Sequence, residues 1–529
     1  MSARMIVTIV VLSTVSLALA VRIFLINNDK EVIKASVGRG QYRISEVSEY
    51  ASIYDCNGER LNNRTVQYKA LINPNDVNSI RVFDYILDKD VFYNGMNGNL
   101  PFLCSVSEDA QNSDYVTVFK EYVRTDDSQL AKHIVGYTSD NEGVCGIEYG
   151  YSDFIHKNYE ENEAEFSVNA VGGVLDGLFS EVNPADELKA GVVTTINLDI
   201  QEICEEAMES SGYTKGAVIV MDVKNGYIKA CASYPEYNIS SLVESMESND
   251  APFINRAFSA YSVGSIFKLV TASAAMESGI SSDFSYTCTG SIDVNGQIFN
   301  CHKWGGHGEL GMSEAMELSC NPYFIALSEY IDNEIFLQTA EKLGFGQETV
   351  LCEGIVSESG YLPTAKELSV KAEKGNFSFG QGKLTATPLQ ICRMTAAIAN
   401  NGMAAEPKLI IGTIDSSGEL TEEKYSKNER VISYLTAKKL RDFMMDVVDA
   451  SNSMSKSYIV ECAGKTSTAQ TGRYDENGNE EMNCWFTGYF PAQNPQYAVT
   501  IVLENGISGN VSCGPVFKKI AEGITKLTY

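Results

Sequence analysis

Residues 261–270 read Tyr261-Ser262-Val263-Gly264-Ser265-Ile266-Phe267-Lys268-Leu269-Val270, and the interpretation of the whole 529-residue chain is built on this stretch. A turn of small residues at Gly264 and Ser265 runs into 266–276, a segment rich in helix formers and apolar side chains. We therefore expect Ser265 at the N-terminus of a helix, with Lys268 one turn further along on the same face.

The spacing of Ser265 and Lys268 suits a serine nucleophile with a lysine base. The amine can reach the hydroxyl, and partial burial would lower the pKa of Lys268, so that a neutral amine takes the serine proton. Backbone N–H groups at the start of the helix would face an oxyanion that forms on an attacked carbonyl. This pair is the serine–lysine alternative to a serine–histidine pair.

The S-x-x-K pattern has little specificity by itself, because Ser453-Met454-Ser455-Lys456 repeats it within a polar run. Two further elements follow Ser265 and Lys268 in chain order, Ser319-Cys320-Asn321 and Lys465-Thr466. The ordered set S-x-x-K, S-x-N and K-T is that of penicillin-binding proteins and class A β-lactamases. Order and context, more than any single motif, therefore indicate the chemistry.

The composition sets broad bounds on function. The formal net charge of −28 argues against binding to nucleic acid or to an anionic membrane surface. The 13 cysteines include no C-x-x-C pair, and their odd number excludes complete intramolecular pairing. We expect most of them to be buried free thiols.

The N-terminus begins with a nearly uncharged run from Met5 to Val21, followed by Arg22 and more apolar residues. We interpret it as a single transmembrane anchor, with residues 1–27 forming the cytoplasmic tip and the membrane span. A cleaved signal peptide is the alternative, because Ala18-Leu19-Ala20 is an acceptable cleavage site. Both interpretations put the rest of the chain outside the cytoplasm.

Residues 28–191 contain a mixture of strand and short-helix patterns without a catalytic motif, so we expect a structural role for them. A hairpin signal occurs at Asn57-Gly58. A second unit, 192–529, starts with a β-branched strand, a helix at 199–210 and a β-hairpin at 216–232. Further along we expect a helix at 388–400, capped by Thr387 and with proline at its first position, and a strand at 497–504.

A zinc site can be drawn from Cys288, Cys301, His302 and His307, but their spacing fits no common zinc pattern. A polar loop or a disulfide is the preferred interpretation, and no metal is predicted. A nucleotide loop at Gly464-Lys465-Thr466 is excluded, because the glycine it requires five residues earlier is Ile459.

The chain resembles the class B penicillin-binding proteins, the monofunctional peptidoglycan D,D-transpeptidases, over nearly its whole length. In the C-terminal part the matching segments are 261–268, Ser319-Cys320-Asn321, Phe379-Gly380-Gln381-Gly382 with Thr387-Pro388-Leu389-Gln390, and Trp485-Phe486-Thr487-Gly488-Tyr489. In the N-terminal part they are Ile53-Tyr54-Asp55 with Asn57-Gly58, and Gly146-Ile147-Glu148-Tyr149.

The resemblance implies a role for each site residue. Ser265 would attack the carbonyl between two D-alanines of a stem peptide, Lys268 would act as base, and Ser319 would relay a proton to the leaving amine. Asn321 would orient Lys268 and the substrate amide. A second amine would then take the acyl group and form a cross-link, and β-lactams would be trapped at Ser265.

The resemblance places the remaining site residues on one predicted strand. Lys465, Thr466 and Thr468 would hold the substrate carboxylate, and the backbone N–H groups of Ser265 and Thr468 would form the oxyanion hole. Ser467, which we group with Thr466 and Thr468 as substrate-binding, stands where the family usually has glycine, on the same strand face as Lys465. Because a side chain there could crowd the floor of the site, we expect altered β-lactam affinity.

The fold implied is α+β, with an antiparallel sheet covered by helices beside an all-helical subdomain, preceded by an N-terminal mixed α/β pedestal. No cofactor and no metal are implied. The implied partners are peptidoglycan stem peptides ending in D-Ala-D-Ala, β-lactams, and a SEDS-type glycan polymerase of the cell-wall machinery. The implied location is the bacterial cell membrane, with the catalytic part outside the cytoplasm.

Three alternatives stay open. The first is a hydrolase of the same fold, either a D,D-carboxypeptidase or a β-lactamase. The second is a β-lactam sensor, although such sensors carry several membrane spans. The third is a weakly active or non-catalytic cell-wall scaffold, which Ser467 suggests.

Overall fold

A computed structural model describes residues 11–22, 40–112, 116–169, 173–175, 180–424, 428–474 and 478–527. Residues 11–22 are helical, and the rest of the predicted anchor at 1–27 lies outside the described residues. Among the residues described, no helix is both long enough and apolar enough to cross a membrane.

The chain divides into two compact units. The smaller one comprises residues 1–50, 63–123 and 159–188, and the larger one comprises 51–62, 124–158 and 189–529. The predicted division near residue 191 therefore lies close to the end of the smaller unit, whereas two short pieces of 28–191 group with the larger unit. One of these pieces is tied there because the strand Ser52–Tyr54 pairs in parallel with Gly191–Thr194.

The smaller unit contains two three-stranded antiparallel sheets and short helices. One sheet has the strand order Gln41–Tyr50, Tyr159–Ser167, Ser180–Asn183, and the other has the order Phe102–Val106, Thr65–Ile72, Thr117–Val123. The helices are Val77–Tyr85, Lys89–Met96 and Glu108–Asn112. Apolar residues such as Ile72, Val82 and Phe92 form its core.

The centre of the larger unit is a five-stranded sheet in which every pair of neighbours is antiparallel. Its strands, in spatial order, are Ile228–Tyr234, Gly216–Asp222, Tyr497–Glu504, Glu480–Phe490 and Ala463–Tyr474. The last of these, Ala463–Tyr474, is called the edge strand below. The hairpin expected at 216–232 and the strand expected at 497–504 are both present.

The sheet is covered by helices on both faces because its strands are apolar on both faces. Along Gly216–Asp222, Ala217 and Ile219 pack into one core, whereas Val218 and Val220 pack into another together with the C-terminal helix Gly514–Leu527. The first core contains the helix Lys268–Glu277, called the nucleophile helix below. The expected antiparallel sheet covered by helices is therefore confirmed.

The remaining helices of the larger unit range from single turns to the 16-residue helix Tyr434–Asp449, and among them Leu198–Glu209 and Pro388–Ala399 agree with expected helices. They are Lys132–Val135, Gly146–Gly150, Ser152–Lys157, Leu198–Glu209, Leu242–Glu247, the 3-10 turn Gly264–Phe267, Met312–Glu317, Asn321–Ser328, Asn333–Lys342, Ala365–Leu368, Lys371–Ser378, Pro388–Ala399, Tyr434–Asp449 and the π-helical turn Gly509–Cys513. Thr387 caps Pro388–Ala399 through a hydrogen bond from Gln390 N–H, as expected from a threonine before a proline.

Small strand pairs complete the larger unit. A four-stranded sheet contains Ser52–Tyr54, Gly191–Thr194, Ile410–Ile414 and Leu420–Glu422. The two-stranded pairs are Thr138–Ser139 with Glu142–Gly143, Tyr261–Ser262 with Thr385–Ala386, Tyr286–Cys288 with Gly308–Leu310, Ser291–Val294 with Gln297–Asn300, Thr349–Cys352 with Ile355–Ser357, and Met403–Ala404 with Glu429–Arg430. The polar loop expected at 288–307 thus contains one β-hairpin, Ser291–Val294 with Gln297–Asn300, enclosed by the strand pair Tyr286–Cys288 with Gly308–Leu310.

Candidate active site

Ser265 lies in the 3-10 turn Gly264–Phe267, which leads directly into the nucleophile helix. The helix was expected to begin at Ile266, but the regular α-helix begins at Lys268. Gly264 has a φ of +64°, a left-handed conformation that glycine adopts without a steric penalty. This turn sets the direction in which Ser265 enters the helix.

Lys268 is the centre of the site. Its side chain is 0% exposed, and its Nζ lies 2.8 Å from Ser265 Oγ. The same nitrogen lies 2.6 Å from Asn321 Oδ1, 2.7 Å from the Ser319 carbonyl oxygen and 3.0 Å from Ser319 Oγ. The structure therefore brings together the first two motifs, S-x-x-K and S-x-N, around one buried amine.

The environment of Lys268 favours a neutral amine. Burial lowers the pKa of Lys268 well below the usual value for lysine, and the nearby charge of Lys465 lowers it further. Cys320 and Cys301 act in the opposite direction, but their effect is smaller. A neutral amine has one lone pair and two N–H groups, so it can accept the Ser265 proton while it donates to Asn321 and Ser319.

Lys465 joins the third motif to the same cluster. It lies on the edge strand, is 1% exposed, and its Nζ donates to Ser319 Oγ over 3.3 Å and to the Thr466 carbonyl over 3.0 Å. Burial lowers the pKa of Lys465 to about 8. Ser319 Oγ thus lies between two lysine amines, a position suited to proton transfer.

Ser319 and Asn321 are positioned by the chain on either side of Cys320. Ser319 has a φ of +52°, a conformation that costs a non-glycine residue about 1–2 kcal/mol. Asn321 begins the helix Asn321–Ser328, which has proline at its second position. The left-handed turn at Ser319 lets both its carbonyl and its hydroxyl face Lys268.

Ser467 is buried on the edge strand, and its hydroxyl donates to the Val263 carbonyl over 2.8 Å. Its side chain therefore contacts the turn that carries Ser265. By strand alternation Ser467 shares a face with Lys465, whereas Thr466 is half-buried and Thr468 is exposed on the other face. Thr468 Oγ1 accepts a hydrogen bond from the Gly509 N–H over 3.1 Å.

Segments that are distant in the chain hold the turn Gly264–Phe267, called the nucleophile turn below, and the residues before it in place. The Gly264 N–H donates to the Gly380 carbonyl over 2.8 Å, and Trp485 Nε1 donates to the Ser262 carbonyl over 3.0 Å. Tyr261 packs edge-on against Trp485. Gly380 belongs to the segment 379–382 and Trp485 to 485–489, two segments that the sequence indicated only through the family resemblance. The contacts show that both segments support the turn that carries Ser265.

Two contacts of Glu504 that support the site were missed by sequence reasoning. The Tyr261 hydroxyl donates to Glu504 Oε1 over 2.9 Å, and Arg256 Nε binds the same oxygen at 2.9 Å. No local pattern links Arg256 to a carboxylate at the far end of the sheet. The two contacts form only because the fold brings the end of the strand Tyr497–Glu504 next to Arg256 and Tyr261.

The second S-x-x-K sequence has none of these features. Lys456 forms an exposed ion pair of 3.0 Å with Asp449, and Ser453 Oγ lies 2.9 Å from Ser455 Oγ. The two occurrences share a spacing but differ in burial and partners, which is why the spacing alone had little specificity.

The chain matches the family model described as penicillin binding protein transpeptidase domain over residues 216–522. It is 29% identical to stage V sporulation protein D of Bacillus subtilis over 392 residues, which are 70% of this chain and 58% of that protein. It is 27% identical to the peptidoglycan D,D-transpeptidase MrdA of Acinetobacter baumannii over 404 residues, 69% of this chain and 58% of that protein. The chain thus spans less than two thirds of the length of either relative.

A crystal structure of penicillin-binding protein 3 from Mycobacterium tuberculosis, complexed with ampicillin, superimposes with a TM-score of 0.66. The sequences are 22% identical, and the match covers 92% of this chain and 96% of that one. This likeness supports the fold. Together with the family match over more than half of the chain, it shows that the chain belongs to the penicillin-binding protein transpeptidase family.

Proposed function

We propose that this chain is a serine-type peptidoglycan D,D-transpeptidase that works through an acyl-enzyme on Ser265. The observation that carries the proposal is the geometry at Lys268, whose fully buried Nζ lies within 2.8 Å of Ser265 Oγ and 2.6 Å of Asn321 Oδ1. A desolvated amine at that distance is a suitable general base for a serine hydroxyl.

In the acylation step, Lys268 takes the Ser265 proton as Oγ attacks the carbonyl between the two terminal D-alanines. The proton then passes to the leaving D-alanine nitrogen, and Ser319, between Lys268 and Lys465, is the group through which it would pass. The bond from the carbonyl carbon to that nitrogen breaks, and an ester on Ser265 remains. An amine from a second stem peptide then attacks the ester and regenerates the Ser265 hydroxyl.

We propose that the edge strand binds the donor peptide. Lys465, Thr466 and Thr468 would hold the terminal carboxylate, and the backbone N–H groups of Ser265 and Thr468 would stabilise the oxyanion. The strand lies at the edge of its sheet, so part of its backbone is not used in strand pairing. We assign Ser467 to supporting the Ser265 turn, since its hydroxyl already donates to Val263.

The wider organisation follows from family membership and remains part of the proposal. Residues 192–529 would form the transpeptidase domain, 28–191 the pedestal and 1–27 the membrane anchor, with the catalytic part outside the cytoplasm. Glycan polymerisation would be carried out by a partner of the SEDS type. β-Lactams would acylate Ser265 and inhibit the enzyme.

Intact mass spectrometry after incubation with benzylpenicillin tests the nucleophile, with the Ser265→Ala and Ser453→Ala variants in parallel. We expect a stable adduct of one penicillin in the parent chain and in Ser453→Ala, and none in Ser265→Ala. Rapid turnover of the drug without an adduct would instead indicate a β-lactamase. No reaction in any of the three chains would favour the scaffold.

Transpeptidation itself is tested with a stem-peptide donor ending in D-Ala-D-Ala and an amine acceptor. Formation of the cross-linked product with release of D-alanine is expected. Release of D-alanine without cross-linking would identify a D,D-carboxypeptidase.

A further inference from the structure

Four potential metal ligands converge beside the active site. The side chains of Cys288, Cys301, His307 and Cys320 offer ligand atoms that all lie within 4.8 Å of one another. Three of these side chains are buried, and His307 is half-buried. Cys301 Sγ lies 3.3 Å from His307 Nδ1. His302, which the sequence grouped with this set, is not a member, and Cys320 takes its place.

Two nested antiparallel strand pairs in 286–310 arrange three of the ligands. Cys288 ends the strand Tyr286–Cys288, Cys301 follows the strand Gln297–Asn300, and His307 precedes the strand Gly308–Leu310. The pairing of Tyr286–Cys288 with Gly308–Leu310 places Cys288 directly opposite Gly308. The fourth ligand, Cys320, comes from the S-x-N motif.

We propose that Cys288, Cys301, His307 and Cys320 bind one Zn²⁺ in a tetrahedral site. Thiolate and imidazole ligands select zinc over hard cations such as Mg²⁺ or Ca²⁺, and Cys₃His sets with no open position are structural zinc sites. Ligand atoms around a tetrahedral zinc stand about 3.5–3.8 Å apart, so each separation needs to shorten by at most about 1.3 Å to complete the coordination. Three thiol protons leave to solvent as the metal binds.

The position of Cys320 gives this site a second role. Its neighbours in the chain, Ser319 and Asn321, both contact Lys268 Nζ. A zinc ion bound to Cys320 fixes the backbone between them, including the left-handed turn at Ser319. The zinc thus acts as a positioning element for the S-x-N motif, and it takes no part in the chemistry of the acyl transfer.

A disulfide between two of the three cysteines is the competing arrangement. All 13 cysteines of the chain are free in the structure. A disulfide would leave the third sulfur unpaired and would remove two of the ligands. Metal content and thiol count therefore separate the two arrangements.

The full chain is prepared without chelator, and its zinc content and thiols are measured together with those of Cys320→Ser. His302→Ala, in the same loop, and Cys352→Ser, a half-buried cysteine outside the cluster, are the controls. We expect about one zinc per chain in the parent and in both controls, as for a closed Cys₃His site. In Cys320→Ser we expect the zinc content to fall at least five-fold after dialysis. Cobalt(II) loaded in place of zinc should give thiolate-to-metal charge-transfer absorption in the parent and in both controls, and a much weaker band in Cys320→Ser.

To test the positioning role of the zinc, the rate of acylation by benzylpenicillin is measured before chelation, after chelation, and after zinc is restored. We expect a loss of about ten-fold, typical of lost supporting contacts at a site, and recovery with zinc. An unchanged rate in the zinc-free chain would overturn the positioning role. A parent chain that binds neither zinc nor cobalt after reduction of any disulfide would overturn the site itself. The metal measurements do not depend on catalysis, so they remain decisive even if the chain does not react with penicillin.

Discussion

The Ser467 hydroxyl donates a 2.8 Å hydrogen bond to the carbonyl oxygen of Val263, two residues before Ser265 in the chain. Ser467 is 3% exposed, so this bond is made away from water. Ser467, which stands where the family usually has glycine, therefore supports the turn that carries Ser265.

The first prediction concerns this bond. Ser467→Ala keeps the Cβ but leaves the buried Val263 carbonyl without its donor, which costs about 1–3 kcal/mol. We expect the melting temperature to fall by about 2–4 °C per kcal/mol lost, and acylation by benzylpenicillin to slow several-fold because Ser265 is less well positioned. Differential scanning fluorimetry and time-resolved intact mass spectrometry measure the two effects. An unchanged melting temperature would show that the bond contributes nothing.

The second prediction compares the two S-x-x-K sequences. Lys268→Met removes the base, and we expect acylation to slow by about 10²–10⁴-fold, the usual contribution of a general base. Lys456→Met is the matched control, because Lys456 is only partly buried and forms an ion pair with Asp449. Its acylation rate should equal that of the parent chain. Equal rates in Lys268→Met and the parent would remove Lys268 from the mechanism.

The third prediction concerns pH. In the proposed mechanism Lys268 acts as a neutral amine, so the acylation rate should rise with pH through its pKa, which burial and the charge of Lys465 lower well below the usual value. The same mechanism uses Lys465 as a cation, and burial lowers its pKa to about 8, so the rate should fall again as pH rises past that value. The profile should therefore be bell-shaped.

Lys465→Arg tests the assignment of the descending limb. A guanidinium stays protonated throughout the range, so the descending limb near pH 8 should disappear from the profile of this variant. If the limb remains in place, another group is responsible for it. A lower maximum rate in the variant does not affect this test, because only the position of the limb bears on the assignment.

The fourth prediction concerns Gly264. Alanine at this position would need a φ of +64° and would place its Cβ 2.4 Å from Ser467 Oγ. Gly279 has a φ of +82° with no atom within 4 Å of an added Cβ, so Gly279→Ala isolates the conformational cost of about 1–2 kcal/mol. We expect Gly264→Ala to lower the melting temperature further than Gly279→Ala does, and to slow acylation as well.

A double variant sharpens this comparison. Adding Ser467→Gly to Gly264→Ala removes the clashing oxygen, so part of the lost acylation rate should return. If the double variant is slower than either single variant, the crowding lies elsewhere in the turn.

The sequence predicted those features that depend on short-range pattern. The strand Tyr497–Glu504 and the cap of Thr387 on Pro388–Ala399 agree with it, because alternation and capping are local. The S-x-x-K spacing likewise predicted that Lys268 reaches Ser265, since three residues make one helical turn.

Contacts between segments that are far apart in the chain could not be predicted from local sequence patterns. Alternation placed Ser467 on the same face as Lys465 but could not show that its hydroxyl lies against Val263. The cysteines of 288–307 were grouped by proximity in sequence, so Cys320 was left out, although the fold brings it to Cys288 and Cys301. In both cases the partner belongs to another element, and only tertiary packing brings the two together.

The contacts of the nucleophile turn also bear on how the protein is made. The segment around Ser265 donates a hydrogen bond to Gly380 and accepts hydrogen bonds from Ser467 and Trp485, and all three residues are synthesised long after it. Contacts between segments so far apart in the chain form late in folding, because the intervening chain must first be ordered. During synthesis, a chain that has not reached Trp485 therefore carries Ser265 without its supports, and reactivity toward penicillin should appear only in nearly full-length chains.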